Sequence, residues 1–428
     1  TMRVNVTGLR NKLHWTFSLE DGDGIYSENV TMTASKFFTM LPKGVTIDQV
    51  HPDHLALITL LVCHPFVNSS LTIPWKVSRR FSESCRLITK YDVLLLDEFV
   101  EPYNPTENSR PALAFSGGAD STASLLVMPK NTLSVFMDRP LKKFASIYNK
   151  SAAYATIKHA MESGYDVQTL ECDVEYMRKP LGFPTDLVPS IPILSLAASH
   201  DIDSIAFGTV MESAYRIGHE KSRDYKTSSH YRFWGRMFEA AGIPLYLPVA
   251  GVSEVGTSII VSNSTFSDYT RSCIRGKWPK SCGNCWKCFR KNLIDARLND
   301  KIIDDVYLEA GLKIPEVKKK IDSFPVSHEN VLAWALKNAS GKIVDVVMNR
   351  LEGSTRDLEF LKCYYQPSID LLPKKYREVT KANLEKYLPR MDSKHFNSIT
   401  EHTMTEWLSS DEAIQAKLVF DKFMNALS

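Results

Sequence analysis

The middle of the chain alternates between short apolar runs and segments with apolar residues at helical spacing. The short runs end at turn-forming residues, as buried strands do, and they lie at residues 111–115, 133–137, 167–172 and 204–208. The segments between them have the period of amphipathic helices and lie at residues 121–128, 148–163 and 193–199. This alternation is typical of a parallel sheet covered by helices. We therefore predict an α/β fold with a doubly wound parallel sheet for residues 111–299.

The two flanking regions have different patterns, so we predict further domains on either side. Residues 1–100 combine alternating segments at 3–6 and 30–33 with an apolar run at 55–63, expected to be a core helix, and a strand at 91–96. We interpret them as a small α/β appendage, with a mostly β appendage as the alternative. Residues 101–110 are polar and contain two prolines, as expected of a linker. Residues 300–428 predict a helical extension, with apolar stripes at 331–336, 343–351, 358–364 and 414–427.

A glycine-containing loop joins the first strand and the first helix of the middle region. Its eight residues are Phe115, Ser116, Gly117, Gly118, Ala119, Asp120, Ser121 and Thr122. Glycines let backbone N–H groups approach a phosphate, hydroxyls add donors, and the helix start adds partial positive charge. No Gly-Lys-[Ser/Thr] motif follows, so this is not a Walker loop. We interpret it as an anion-binding loop; the alternative is an ordinary glycine turn.

The predicted sheet brings further residues to the same edge as this loop. Ligands of open α/β sheets bind beyond the carboxyl ends of the strands. Asp138 follows the second predicted strand, and Gly208 and Glu212 lie at and just after the end of the fourth. We therefore expect Ser116, Asp138 and the segment from Gly208 to Glu212 to border one crevice.

Composition and charge narrow the class of protein only slightly. The 428 residues are 44% hydrophobic and 24% charged, which is ordinary for a chain that buries a core. The net charge of +3 does not by itself argue for a nucleic-acid partner. The longest apolar stretch, residues 55–63, is too short to span a bilayer and matches no signal peptide. We expect a cytosolic protein without membrane contact.

Four of the eight cysteines are clustered in a metal-binding pattern. They are Cys273, Cys282, Cys285 and Cys288. Four thiolates with two Cys-x2-Cys steps can surround Zn²⁺ tetrahedrally and leave no position for water, so we expect a structural zinc site bordering the crevice. Disulfides and an iron–sulfur cluster are the alternatives.

The two motifs together resemble a known family. The Ser-Gly-Gly-x-Asp-Ser order resembles the pyrophosphate loop (PP-loop) of N-type ATP pyrophosphatases, and the added cysteine cluster resembles QueC, the 7-cyano-7-deazaguanine synthases. The segments 183–189 and 207–213 are similar to further family segments, and the resemblance covers about residues 111–297. It implies ATP and Mg²⁺ as cofactors and an AMP-forming carbon–nitrogen ligase.

The resemblance also implies roles for individual residues. In this family ATP adenylates the carboxylate of 7-carboxy-7-deazaguanine, ammonia displaces AMP, and a second activation gives the nitrile. Residues 115–122 would hold the phosphates, with Ser116, Asp120 and Ser121 as catalytic residues and Asp120 near Mg²⁺ or the loop backbone. Asp138 and Gly208 would border the nucleotide. Glu212 is our candidate for binding a purine-like base, and a surface or ion-paired glutamate is the alternative.

The chain departs from the family at three places. Residues 137–140 and 188–192 differ from the family's substrate segments, and a glutamate, Glu254, stands at or near a family lysine. A carboxylate there would repel phosphate. We regard three basic residues as substitutes: Lys221, Arg223 and Lys226.

These departures and the large termini favour a divergent enzyme, like the QueC-like proteins of anti-phage defence operons. Such an enzyme would activate a deazaguanine or another carboxylate and transfer it to ammonia or to an amine on a protein or nucleic acid. The candidate partners are therefore a small carboxylate, a macromolecular acceptor and a second copy of the chain. Two alternatives are a non-catalytic nucleotide-binding protein with a docking C-terminus and a tRNA thiolation enzyme, for which Cys172 would be the reactive cysteine.

Overall fold

A computed structural model describes residues 1–142 and 148–427, whose strands form three sheets. The strands are β1 Met2–Leu9, β2 Lys12–Ser18, β3 Ile25–Ser27, β4 Val30–Met32, β5 Lys36–Met40, β6 Ser70–Thr72, β7 Asp92–Leu94, β8 Arg110–Ala114, β9 Leu133–Asp138, β10 Asp166–Glu171, β11 Arg178–Lys179, β12 Ile202–Ala206 and β13 Leu245–Tyr246. Across these described ranges, no helix combines the length and apolar character needed to cross a membrane.

The helices are distributed along the whole chain. Their bounds are α1 Pro52–Cys63, α2 Arg79–Cys85, α3 Ala119–Val127, α4 Ser151–Glu162, α5 Ile191–Leu196, α6 Met211–Ala214, α7 Arg236–Ala240, α8 Glu254–Ser262, α9 Trp286–Leu298, α10 Asp305–Leu312, α11 Pro315–Asp322, α12 Glu329–Leu336, α13 Lys342–Met348, α14 Arg377–Glu385, α15 Phe396–Thr400, α16 Thr405–Leu408 and α17 Asp411–Leu427. Short 3₁₀ turns join several of them.

The middle region contains a five-stranded sheet that is parallel throughout. Its strand order is β10-β9-β8-β12-β13, so β8, which comes first in the sequence among these five strands, lies at the centre of the sheet. The four strands predicted here all form, each within two residues of its predicted bounds. The predicted α/β class is therefore confirmed.

The central strand β8 shows why both faces of this sheet are covered. Ala112 and Ala114 pack into one apolar core, which also contains residues of α1 and α5. Leu113 and Phe115, on the opposite face, pack into a second core with residues of α3, α4 and α8. A parallel strand that is buried on both faces is continuously apolar, as residues 111–115 are.

The N-terminal region forms a mixed sheet of order β5-β2-β1-β6-β7. The helix predicted at residues 55–63 is confirmed as α1, which is buried nearly all round as its lack of a polar face requires. The predicted strand at 91–96 is confirmed as the shorter β7, and the third sheet, β11-β4-β3, links this region to the middle one. One apolar core contains residues from all three predicted domains, and the division into domains stays a prediction.

The C-terminal region contains helices α10 to α17, as the apolar stripes predict. One stripe is an exception, because residues 358–364 form only a 3₁₀ turn, Glu359–Lys362. Tyr364 leaves helical geometry to pair with a second chain segment: its N–H donates to Pro389 at 3.0 Å and its carbonyl accepts from Met391 at 3.0 Å. The helical prediction for this stripe was therefore wrong.

Candidate active site

The Ser-Gly-Gly loop turns from the end of β8 into the start of α3. Gly117 has a φ of +78°, and a Cβ there would lie 3.0 Å from the Cα of Ala153 in α4, so the position requires glycine. Gly118 precedes the first residue of α3. The Ser116 and Ser121 hydroxyls lie 3.0 Å apart, and the Ser121 oxygen accepts from the Ser116 N–H at 3.2 Å. The loop thus gathers hydroxyls and N–H groups at a helix N-terminus, the arrangement that suits an anion.

Two other segments contact the first turn of α3. The N–H of Ala119 donates to the Ser272 hydroxyl at 3.2 Å, so the residue before Cys273 touches the loop. A Cβ on Gly208, beyond the end of β12, would lie 2.8 Å from the backbone nitrogen of Ser121. Because Gly208 has no side chain, the segment after β12 can pass directly against the first turn of α3. The contact of Gly208 with a nucleotide stays a prediction.

Asp120 faces the crevice from the first turn of α3. Its side chain is 33% exposed, and its Oδ1 accepts from the Thr257 hydroxyl at 2.7 Å. The Lys291 Nζ lies 3.9 Å from the same oxygen. A partly exposed carboxylate beside a lysine is suited to bind a divalent cation or orient a phosphate-bearing ligand. Thr122, in contrast, is fully buried.

Helix α9 supplies the positive charges of the crevice. It begins immediately after Cys285, and Lys287, Arg290 and Lys291 lie at i, i+3 and i+4, so they share one face. The Lys291 Nζ is buried and forms no hydrogen bond with any residue that the structure describes. Burial opposes its ionisation, but Glu254 and Asp120 outweigh this and raise the pKa of Lys291. The Lys287 side chain reaches the surface, and the surrounding protein and the neighbouring cations lower its pKa although Asp120 opposes this.

Glu254 forms a buried ion pair with Arg290. Arg290 donates to both Glu254 oxygens, from Nε and Nη2, at 2.8 Å each, and Lys291 Nζ lies 3.8 Å from Oε1. Burial opposes ionisation of Glu254, but Lys291 and Arg290 outweigh it and hold its pKa below the usual range. Glu254 is thus a neutralised carboxylate that positions two cations. Of the three substitutes we considered from the sequence, Arg223 instead donates to the carbonyls of Ser213 and Ala214.

Glu212 lies in the short helix α6, and its buried side chain contacts the start of α8. Its carboxylate accepts from the Ser253 hydroxyl and, at 3.1 and 3.2 Å, from the backbone N–H of Glu254. Burial and the charge of Glu254 raise the pKa of Glu212 to about 7. These contacts give Glu212 a clear structural role in capping α8. Its predicted binding of a purine-like base is not tested by them and stays a prediction.

An aromatic cleft adjoins the loop at the carboxyl ends of β8 and β9. It measures about 100 Å³, and its walls include Phe115, Phe136, Tyr148 and Phe183 beside Ser116. The cleft lies at the end of β9, the second predicted strand of the middle region, and its aromatic walls suit a base.

Asp138, at the end of β9, is buried behind this cleft. Its two oxygens accept from Lys150 at 2.6 Å and from the Tyr154 hydroxyl at 2.7 Å. These contacts tie β9 to α4. Whether Asp138 also contacts a nucleotide stays a prediction.

The four clustered cysteines form a metal-binding arrangement. Their Sγ atoms all lie within 4.8 Å of one another. Backbone N–H groups donate to three of the sulfurs: Arg275 and Cys282 to Cys273, Asn284 to Cys282, and Cys288 to Cys285, at 3.4–3.5 Å. Such N–H donors stabilise thiolates. The donor set fits a metal ion such as zinc, held at the base of α9.

Sequence reasoning missed Ser272, Lys287, Arg290 and Lys291. The basic residues had a usable signal, because their i, i+3, i+4 spacing directly follows the last Cys-x2-Cys step in a helix that the metal site would position. Ser272 had none, since a lone serine in a loop indicates no contact.

Comparisons with known proteins assign no function to this site. The profile of a family of unknown function (DUF6395) matches residues 233–403, which is less than half of the chain and includes the cysteine cluster and α9. No curated protein and no solved structure shows a significant match.

Proposed function

We propose that the protein binds ATP at the Ser-Gly-Gly loop and transfers AMP to the carboxylate of a small acid, a 7-carboxy-7-deazaguanine or a related deazapurine. One observation carries the proposal: the loop, Asp120 and the cations of α9 converge at the carboxyl edge of a parallel sheet. The strand order, with the first strand central, is the one found in doubly wound nucleotide-binding sheets. It supports the PP-loop fold that the sequence motif implies.

Each part of the crevice has a role in this proposal. The glycine loop and the N-terminus of α3 would hold the phosphates, and Lys291 with Lys287 would neutralise charge on the departing pyrophosphate. Asp120 would hold Mg²⁺, which would offset negative charge on the phosphates. The aromatic cleft beside Ser116 would hold the adenine. The metal at the four cysteines would keep α9 in place.

The proposed chemistry has two steps. A carboxylate oxygen attacks the α-phosphorus, an O–P bond forms, and the bond to pyrophosphate breaks with its electron pair leaving on pyrophosphate. An amine nitrogen then attacks the acyl carbon, a C–N bond forms, AMP departs, and the amine proton passes to solvent. Activation is needed because a carboxylate is a poor electrophile.

A thiolation activity has no comparable support. Its chemistry requires a reactive thiolate, and reactive thiols are partly exposed with a lowered pKa. Cys172 is fully buried, and burial raises the pKa of its thiol to about 12.

The test is a reaction with ATP, Mg²⁺ and 7-carboxy-7-deazaguanine, with and without ammonium, followed by mass spectrometry. We expect AMP that depends on the deazaguanine, and loss of AMP formation in Asp120→Asn but not in the exposed control Asp268→Asn. A product formed without ammonium would identify a protein amine as acceptor. ATP binding without AMP under every condition would overturn the proposal in favour of a non-catalytic nucleotide-binding protein.

A further inference from the structure

A second cleft lies at the opposite edge of the parallel sheet from the loop. It contacts Pro244 and Leu245 at the beginning of β13, whereas the Ser-Gly-Gly loop follows the end of β8. The cleft measures about 500 Å³ and lies between residues 226–245 and residues 370–377. It is therefore separate from the proposed ATP site and needs its own explanation.

The cleft carries an excess of positive charge. Its walls hold five basic residues and two acidic ones: Lys226, Arg232, Arg236, Lys374 and Arg377 against Glu239 and Asp370. Arg377 is used internally, since it donates to the carbonyls of Asp370 at 2.7 Å and Leu372 at 2.9 Å. Within the part of the chain that the structure describes, none of the other four forms an ion pair. Unpaired cations in a concave site attract anions strongly.

The wall around Arg236 has two further unusual features. The Nε of Arg236 is buried without a hydrogen-bond partner among the described residues, although buried polar groups normally have one. The preceding residues, Tyr231–Gly235, form a π-helical turn, a rare geometry that is frequent at binding sites. The turn places Tyr231, which is half-buried, on the same wall as the arginines.

A third cleft continues this basic surface. It measures about 450 Å³ and shares Asp370 and Arg377 with the second cleft, so these two clefts adjoin. Its walls add Lys381 and Arg390 against Glu378, and Arg390 pairs with Glu385. Five basic residues of the two connected clefts therefore form no ion pair with a described residue, which is more than a single phosphate group would require: Lys226, Arg232, Arg236, Lys374 and Lys381.

We propose that these two clefts, named here the basic groove, bind a single strand of nucleic acid. Lys226, Arg232, Arg236 and Lys374 would contact successive phosphates, and Tyr231 would offer a ring for a base. Arginine forks match phosphate oxygens, and proteins bind single strands in positively charged grooves that offer aromatic rings to the bases. The proposal does not depend on the proposed ATP chemistry.

The experiment measures binding of a fluorescein-labelled 15-mer oligouridylate by fluorescence anisotropy between 50 and 200 mM salt. The test variant is Arg232→Glu/Lys374→Glu, and the matched control is Lys318→Glu/Lys319→Glu, which changes net charge equally at two exposed lysines of α11. We expect at least about tenfold weaker binding in the test variant, and a salt slope smaller by about 1.4, since each lost single-strand contact removes about 0.7. The control should change affinity less than about threefold.

Four results would overturn the proposal. They are no binding by the unaltered protein, equal losses in both double variants, tighter binding of a duplex of the same length, and equally effective competition by polyglutamate or inorganic tripolyphosphate. The neutral variant Arg232→Gln/Lys374→Gln guards against misfolding in the charge-reversed protein, and it should also weaken binding at an unchanged melting temperature.

Discussion

The two edges of the parallel sheet handle charge in opposite ways. At the carboxyl edge, Asp120, Glu254, Arg290 and Lys291 are largely buried and lie against one another, with the Arg290–Glu254 pair joined by two hydrogen bonds. At the amino edge, the lysines and arginines of the basic groove face a cleft, and most of them form no ion pair with described residues. The same residue types are therefore used in two different electrostatic settings.

The difference indicates two kinds of binding. A buried, mutually paired network holds its charges in place before a ligand arrives, which is what stabilisation of developing charge in a reaction requires. Exposed and unpaired cations attract an anion over a longer range but are screened by salt, as in nucleic-acid binding. The carboxyl-edge crevice thus suits the chemistry that we propose, and the basic groove suits the proposed association with an anion.

Breaking the central ion pair should have the largest effect. Arg290→Ala leaves the buried Glu254 carboxylate without its bidentate partner, and we expect a loss of about 3–5 kcal/mol in the free energy of unfolding, measured with urea. Replacing both partners, as in Glu254→Leu/Arg290→Met, should recover much of that loss because no buried charge remains unpaired. A loss below about 1 kcal/mol in Arg290→Ala would contradict a paired network at this edge.

Lys291→Met should lower the rate of AMP formation without changing nucleic-acid binding in the basic groove. We expect AMP formation to fall about 10²- to 10³-fold, because the buried ammonium beside Asp120 would no longer neutralise the leaving pyrophosphate. Oligouridylate binding should not change. Lys291→Arg should restore part of the rate, and the exposed control Lys318→Met should leave it unaltered. If the affinity for oligouridylate falls together with the rate of AMP formation, the two edges of the sheet are not independent.

The pH dependence of stability tests the buried carboxylates of the crevice. The pKa of Glu212 is raised from 4.5 to about 7 in the fold, mainly by burial and then by Glu254. A carboxyl with a raised pKa contributes stability that is fully present below about pH 4.5 and is lost as the pH rises through 7. Glu212→Gln keeps an acceptor for Ser253 but cannot ionise.

We therefore expect the free energy of unfolding to decline less between pH 5 and pH 7 in Glu212→Gln than in the unaltered protein. The difference should be about 1 kcal/mol or more, since one pKa unit corresponds to about 1.4 kcal/mol. The exposed control Glu412→Gln should follow the unaltered protein. Identical pH profiles for all three proteins would show that Glu212 does not titrate in this range.

The secondary structure around the crevice could be predicted from the sequence better than the positions of its charged side chains. The strands, the glycine loop and the cysteine cluster each have a local signature, because period, glycine position and ligand spacing are properties of neighbouring residues. The approach of Lys291 to Asp120 depends on tertiary packing, because α8 packs against both α3 and α9, and no local pattern contains this arrangement. The basic groove is harder still, since Lys226 and Lys374 come from distant segments that only tertiary packing brings together.

Single substitutions in the basic groove should have the smallest effect on stability. Arg232 is exposed and forms no ion pair with a described residue, so Arg232→Ala should change the free energy of unfolding by no more than about 0.5 kcal/mol. Oligouridylate binding should nevertheless weaken, with a salt slope smaller by about 0.7 for one lost phosphate contact. Lys318→Ala should alter neither quantity. A large loss of stability in Arg232→Ala would place this arginine in a paired network like that of Arg290 and remove the contrast between the two edges.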